Sequence, residues 1–402
     1  MTKLETFAPS AVSPRFLIPF VGLMLGLNAF ANDILLPAFF LISAELEAPI
    51  ERVQTLIPIF LIAAGFGQLA SGPLSDRFGR QPLLLTGFGF YLCGSLLCFV
   101  APSILVLQLG RVVQGLGSAC LMVAGRACLR DTQSGSSLAR AMALTSAFFA
   151  VGPIVAPITG VGLIALGGWR AVFAGIIAVV LALALAAVLG FRETHIMPDP
   201  QALDRRRLQS GLLRIVRNRQ SRSFLITASA LQFSIISVVS NSPRLFNSQF
   251  GIGGATYALL FAVSAIGIII GQAINHRLIS RFGVYQSTRA AAAFLTVVAS
   301  SIFYATVWRL QSPPLLLLQL TLFNMGFLVV MSNSASMVLD PHRDIAGLTA
   351  SVFGFLTQLT GGVLALATYR VFGGLLLPWS LGLMFTTLVV LASIWLYDPK
   401  SE

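Results

Sequence analysis

Charge is what this chain has least of. Only 10% of its 402 residues are Asp, Glu, Lys or Arg, against about a quarter in ordinary soluble proteins. With 56% hydrophobic residues, a water-soluble fold could not hide its apolar surface, so lipid is the solvent for most of the chain. Histidine is nearly absent too. His195, His276 and His342 all fall at span ends and are read as surface residues, not as a proton relay. None stands at metal-ligand spacing from acids or cysteines, which argues against a metal-dependent membrane enzyme. The four cysteines, Cys93, Cys98, Cys120 and Cys128, show no Cys-x-x-Cys pair and no nearby histidine, so they read as small packing residues. The start of the chain shows no short apolar stretch followed by a small-residue cleavage site, so the first apolar segment is expected to stay attached. Long polar stretches are scarce as well: the longest, Arg192 to Arg222, is too short for the soluble output domain of a sensor.

What the chain does have is a series of apolar runs near 20 residues. In lipid the backbone must satisfy its own hydrogen bonds, so such runs are helices. Spans are predicted near 16–40, 53–74, 83–101, 103–125, 139–165, 169–192, 223–246, 255–279, 287–307, 313–338, 344–370 and 378–397. The split between the third and fourth rests on the Ala101-Pro102-Ser103 break. The expected fold is an all-α membrane protein of twelve transmembrane helices in two pseudo-symmetric six-helix bundles. Residues 1–192 form the first bundle, 193–222 a basic cytoplasmic linker with a surface helix near 203–219, and 223–402 the second.

The net charge of +12 could suggest a nucleic-acid partner, but its placement argues otherwise. With both termini inside, Arg52, Arg170, Arg244, Arg309 and Arg370 alone fall on the outer side, and Arg111 alone lies within a span. Every other Lys or Arg is cytoplasmic. This bias orients membrane proteins and places positive charge against anionic lipid. The halves also echo each other. Gly67-Gln68 and Arg77-Phe78-Gly79 recur as Gly271-Gln272 and Arg281-Phe282-Gly283 at one offset, as expected of a duplication. Repeated halves with a mid-membrane site between them are a common plan for secondary transporters.

Four constellations carry chemistry. The stretch from Gly72 to Pro82 joins spans two and three; Gly72, Asp76, Arg77, Gly79 and Arg80 suit a conformational latch, with glycines for close approach and charges that pair and release. Asp33 is the only acid well inside a span, and an intramembrane acid is a functional hypothesis by default. A carboxylate able to hold a proton or a counter-ion is what proton-coupled exchange needs. Arg111 sits at matching depth in span four, followed by Gln114 and Gly115, so a direct or water-bridged pair with Asp33 is sterically reasonable. Span five carries Gly152-Pro153, Ala156-Pro157 and Gly160, small and kinking residues that suit a conformational hinge.

These residues resemble the major facilitator superfamily. The 72–82 stretch is similar to its loop signature, Arg111 with Gln114 and Gly115 to its fourth-helix arginine motif, and 150–160 to a loose form of its fifth-helix antiporter motif. Asp33-x-x-x-Pro37-Ala38 and Ser332-Asn333 with Asp340 resemble more narrowly the bicyclomycin/chloramphenicol-resistance (Bcr/CflA) drug:proton antiporters. The resemblance implies alternating inward- and outward-open states, and export driven by the proton gradient with no cofactor. It also implies that Asp33 takes up the proton and that Arg111 modulates it. Departures are plain. Leu25 and Gly26 occupy the region where some multidrug exporters carry a second acid. His276 and Ser280 stand where the first loop has Gly72 and Asp76.

Candidate substrate-cavity residues are the polar or aromatic positions within apolar spans: Asn28, Asn32, Gln54, Tyr91, Gln114, Phe149, Gln232, Asn241, Asn324, Asn333 and Gln358. A greasy cavity with one acid suits bulky amphiphiles, neutral or cationic, and not sugars. The expectation is a monomeric, multi-pass exporter of a bacterial-type inner membrane, handling drugs or other amphiphiles. The alternative is a dedicated exporter of a metabolite, amino acid or siderophore. Partners are the small-molecule substrate, protons and membrane lipids, with no nucleic acid and no metal.

Overall fold

The computed structural model describes residues 14–133, 135–195 and 198–397. Its helices are α1 Pro14–Asp33, α2 Phe39–Glu45, α3 Ile50–Gln54, α4 Leu56–Phe78, α5 Arg80–Phe99, α6 Ile104–Thr132, α7 Gly135–Gly190, α8 Arg205–Arg217, α9 Arg219–Phe250, α10 Gly254–Val307, α11 Pro313–Leu339, α12 Ala346–Phe372 and α13 Leu376–Trp395. No strand occurs among the described residues. Among the described residues, ten helical segments are long and apolar enough to cross a membrane. Two of them, α7 with 56 residues and α10 with 54, would each run about 80 Å if straight, far more than a hydrocarbon core of about 30 Å. Each is broken where a turn is needed: α7 at Gly167-Gly168 and α10 at Gly283. Their two arms apiece accommodate the twelve predicted crossings.

The duplicated tripeptides take the same shape. Gly79 has φ 99° and ψ 169°, and Gly283 has φ 79° and ψ 169°, a region closed to residues with a Cβ. In each copy the arginine lies over the following phenylalanine ring, at 5.5 Å for Arg77 and 5.2 Å for Arg281. The chemistry around the two turns has diverged. The first is ringed by ion pairs, while no ion pair forms at the second among the described residues.

Glycine sets how closely the helices approach. A Cβ on Gly94 would lie 2.4 Å from the Gln114 backbone nitrogen, and one on Gly117 would lie 2.5 Å from that of Tyr91. The α5–α6 seam is therefore backbone against backbone, a mode of packing favoured in membranes. Between the first six spans and the last six, glycines let side chains of the facing helix seat between α4 and α12: Gly72 faces the Ser351 hydroxyl, Gly354 the Gln68 amide, and Gly362 the Ile62 side chain.

The sequence reading and the structure differ in places. The first span is not one helix: α1 stops at Asp33, a 3-10 turn covers Leu36–Ala38 around Pro37, and α2 follows. The helix α7 runs through Pro153 and Pro157 without leaving helical geometry. His342 is buried against Ser221 at 2.9 Å, where a surface position was expected. Of the four cysteines only Cys93 is exposed, and none is bonded to another.

Candidate functional site

Arg111 is fully buried on α6 and makes no ion pair among the described residues. A lone charge in a dry interior survives only if every donor finds an acceptor. Its Nε donates to the carbonyl of Leu56 at 3.1 Å. Nη1 donates to Gln114 Oε1 at 3.0 Å and to the carbonyl of Ala31 at 3.4 Å. Nη2 donates to Asn32 Oδ1. The guanidinium also stacks 4.2 Å from the centre of the Phe60 ring, a cation–π contact strengthened by the absence of water.

The network spreads outward by amides and hydroxyls. Gln114 Nε2 donates to Ser95 Oγ at 2.8 Å, and Ser95 Oγ donates to the carbonyl of Tyr91. Asn32 Nδ2 donates to the carbonyl of Asn28, whose own amide donates to Ser118 Oγ at 2.9 Å and touches the Met122 sulfur. Asn28, Asn32, Gln114 and Arg111 thus form one cluster linking α1, α4 and α6. The Tyr91 hydroxyl is buried nearby without a hydrogen-bond partner among the described residues.

Asp33 does not join that cluster. It is buried, and it makes no ion pair or hydrogen bond among the described residues. The direct pair with Arg111 suggested by equal depth does not form, because successive helical residues point about 100° apart. Asn32 faces α6 and takes the guanidinium, while Asp33 lies within electrostatic range of Tyr257 on α10. Tyr257 shares a 2.6 Å hydrogen bond with Ser242 of α9. The turn after Asp33 is pinned by α7: a Cβ on Gly160 would lie 2.4 Å from the carbonyl of Ile34. The lone acid therefore sits where the helix breaks, between the first six spans and the last six.

The other cavity candidates are scattered. Gln54 donates to the carbonyl of Ser240 at 2.9 Å across the two halves. Beside it Glu51 pairs with Arg244 at 2.8 Å. Asn241 lies on the same stretch of α9, with its Oδ1 unpartnered. Gln232 and Gln358 bond each other at 3.1 Å. Asn324 donates to the carbonyl of Ser264, and Asn333 exchanges two hydrogen bonds with Asn275. Gln232, Gln358, Asn324 and Asn333 thus find amide or carbonyl partners, whereas Gln54 Oε1 and Asn241 Oδ1 have none among the described residues, a costly state for a buried polar atom. The Phe149 side chain lies outside the described residues.

The latch residues come together as a network centred on Arg80. Its Nη1 donates to Asp76 Oδ1 and Ser75 Oγ, both at 2.7 Å, and its Nε to Asp131 Oδ2 at 2.8 Å. Arg77 instead reaches out to the carbonyl of Pro200 at 2.6 Å. Gly72 and Asp76 line a narrow cleft between α4, α6 and α12, together with Arg126, Arg130 and Gly347.

Sequence reasoning missed three members. Asp131 ends span four. Glu193 caps α5 by accepting from the backbone N–H groups of Arg80 and Gln81, each at 2.9 Å. His195 places Nδ1 3.4 Å from Arg80 Nη2 and Nε2 3.0 Å from the carbonyl of Asp76. Their signal was the presence of acids and a histidine at span ends, which are common enough there to be uninformative. Partial burial pushes the Glu193 carboxyl up, but four backbone donors outweigh it and hold the group below its usual range. No cluster able to hold a metal ion occurs among the described residues.

Comparison with known proteins gives one family and consistent relatives. The family model described as Major Facilitator Superfamily matches residues 21–366. The uncharacterized MFS-type transporter YdgK of Bacillus subtilis is 26% identical over 86% of each chain. Multidrug resistance protein D of Escherichia coli is 26% identical over 85% of this chain and 86% of its own. The bicyclomycin resistance protein homolog of Haemophilus influenzae is 24% identical over 86% of each. Among solved structures, the POT family transporter PepTSo superposes with a TM-score of 0.75 at 12% identity, covering 96% of this chain and 97% of its own. The human organic anion transporter MFSD10 does so with 0.71 at 16%, covering 96% and 99%. At these identities the structures speak for the fold alone.

Proposed function

Because the chain belongs to the Major Facilitator Superfamily, whose members move small molecules across membranes, we propose that it is a proton-coupled exporter of drugs or other small amphiphilic compounds. The observation that carries this reading is Asp33: a buried intramembrane acid, without an ion pair among the described residues, at a helix break between the two halves. A carboxylate so placed can hold a proton in one state and a cationic or hydrogen-bond-donating substrate in the other. Arg111 is held by carbonyls and amides and not by an acid, which leaves the Asp33 carboxylate free of a fixed counter-ion. The relatives named for multidrug and bicyclomycin resistance support this substrate class.

The two six-helix halves, residues 1–192 and 223–402, rock about the α4–α12 contact, with the Arg80 network at one end, where the Arg77–Pro200 and Arg214–Asp344 contacts tie the linker to both halves. The basic residues gather at that end, which we assign to the cytoplasm together with both termini, in a bacterial-type inner membrane. The protein works as a monomer, and the proton gradient is its energy source without a cofactor. Substrate-dependent proton movement in proteoliposomes with an imposed pH gradient tests the reading. Asp33→Asn abolishes that movement; unchanged coupling in the variant would remove Asp33 from its assigned role.

A further inference from the structure

The linker helix α8 carries a surface that transport does not account for. Its sequence, RRRLQSGLLRIVR, is folded against the protein by one face only. Gly211 and Ile215, one turn apart, are buried, and a Cβ on Gly211 would collide with the Leu348 side chain at the start of α12. The adjoining face is apolar and uncovered: Leu212 is 41% exposed, Leu213 52% and Val216 41%. Flanking it, Arg205, Arg206 and Arg217 are exposed and make no ion pair among the described residues.

We propose that α8 docks onto anionic lipid headgroups at the basic end of the protein. Leu212, Leu213 and Val216 enter the interface between headgroups and acyl chains, and Arg205, Arg206 and Arg217 pair with phosphates. A helix with a protein-facing stripe, an apolar stripe beside it and an arginine rim fits the boundary of a bilayer. The spans of this chain bring that boundary to the ends of α9 and α12, against which α8 packs. The inference rests on the membrane placement of the chain and not on its cargo or its proton coupling.

Docking would also reach the latch, because the linker fastens both halves. Arg207 pairs with Asp199, whose backbone N–H donates to the carbonyl of Asp76 at 2.9 Å. Arg77 holds the carbonyl of Pro200. On the other side Arg214 pairs with Asp344, just before α12. A lipid that restrains α8 thereby restrains the segment lying across Asp76 and Arg77.

Spin labels on the full-length protein, with Cys93→Ser as background, test the placement. In phosphatidylglycerol-containing vesicles a label at Leu213→Cys should be more accessible to oxygen than to a water-soluble nickel complex. A label at Ser210→Cys, on the polar side, should show the reverse. Equal access of the nickel complex to both labels would overturn the proposal. The triple variant Arg205→Gln, Arg206→Gln, Arg217→Gln keeps both ion pairs and should lose retained phosphatidylglycerol, relative to phosphatidylcholine, by roughly a hundredfold. Retention unchanged in that variant would equally refute it. Both readouts are independent of transport, so their failure is distinguishable from failure of the exporter reading.

Discussion

Replacing Arg80 by alanine removes the centre of the latch, and the structure sets the size of the effect. Two ion pairs and a hydroxyl contact are lost, with donor–acceptor distances of 2.7 and 2.8 Å. Hydrogen bonds to charged groups contribute about 1.5–3 kcal/mol each, and all three here involve the guanidinium, so the gross loss is at least about 5 kcal/mol. Part of it is recovered, because the Asp76 and Asp131 side chains are 41% and 20% exposed and rehydrate once freed. A net cost of about 2–3 kcal/mol remains, a shift of roughly 30- to 150-fold in any equilibrium that makes or breaks the latch. Chemical unfolding in detergent micelles measures the cost. A double-mutant cycle with Asp131→Asn isolates the buried pair and should return about 1.5–3 kcal/mol of coupling. Arg80→Lys, which reaches one acid at a time, should fall between. Arg77→Ala is the internal control, since that side chain is exposed and makes a single hydrogen bond to Pro200; it should cost under about 1 kcal/mol. If Arg80→Ala is no worse than Arg77→Ala, the picture of a buried charged node is wrong.

Two further outcomes follow from the geometry. Gly117→Ala pushes a methyl into the α5 backbone at Tyr91 and should destabilise by about 1–3 kcal/mol, whereas Gly89→Ala, with nothing within 4 Å, should be neutral or better; comparable unfolding of the two would contradict the close-packed seam. Glu193 has a folded-state pKa below its ordinary 4.5, so its contribution is fully present above that value and is lost as pH falls through the lower folded value. Glu193→Gln should therefore flatten the acid limb of the stability curve, and an unchanged limb would argue against the cap on α5.

The sequence revealed most of the architecture because lipid leaves the chain so few options. Span positions, the surface helix at α8 and the paired turns at Gly79 and Gly283 were legible from apolar run length and one repeated tripeptide. The break after Asp33 was not, although Pro37 hinted at it, since hydropathy reads straight through a 3-10 turn. Depth placed Arg111 and Asp33 together but could not decide which way each residue turned about its helix; the structure gives Asn32 to the arginine. The cavity amides divide for a related reason: Asn28, Asn32 and Gln114 gather around Arg111, while the others are dispersed. A polar residue in a span signals that it needs a partner, not whether the partner is a substrate or, as with Asn275 and Asn333, another amide. Asp131, Glu193 and His195 were invisible because their meaning depends on Arg80, which lies far from them in sequence.

The most direct test of the account is proton release on substrate binding. Purified protein in weakly buffered detergent solution is mixed with a cationic amphiphile of the proposed substrate class, and a pH indicator reports the proton balance. Competition for the Asp33 carboxylate predicts that protons are released as substrate binds, and that the release disappears in Asp33→Asn while substrate still binds, though more weakly. Release of the same size in Asp33→Asn would contradict the account, because the exchanging proton would then reside elsewhere.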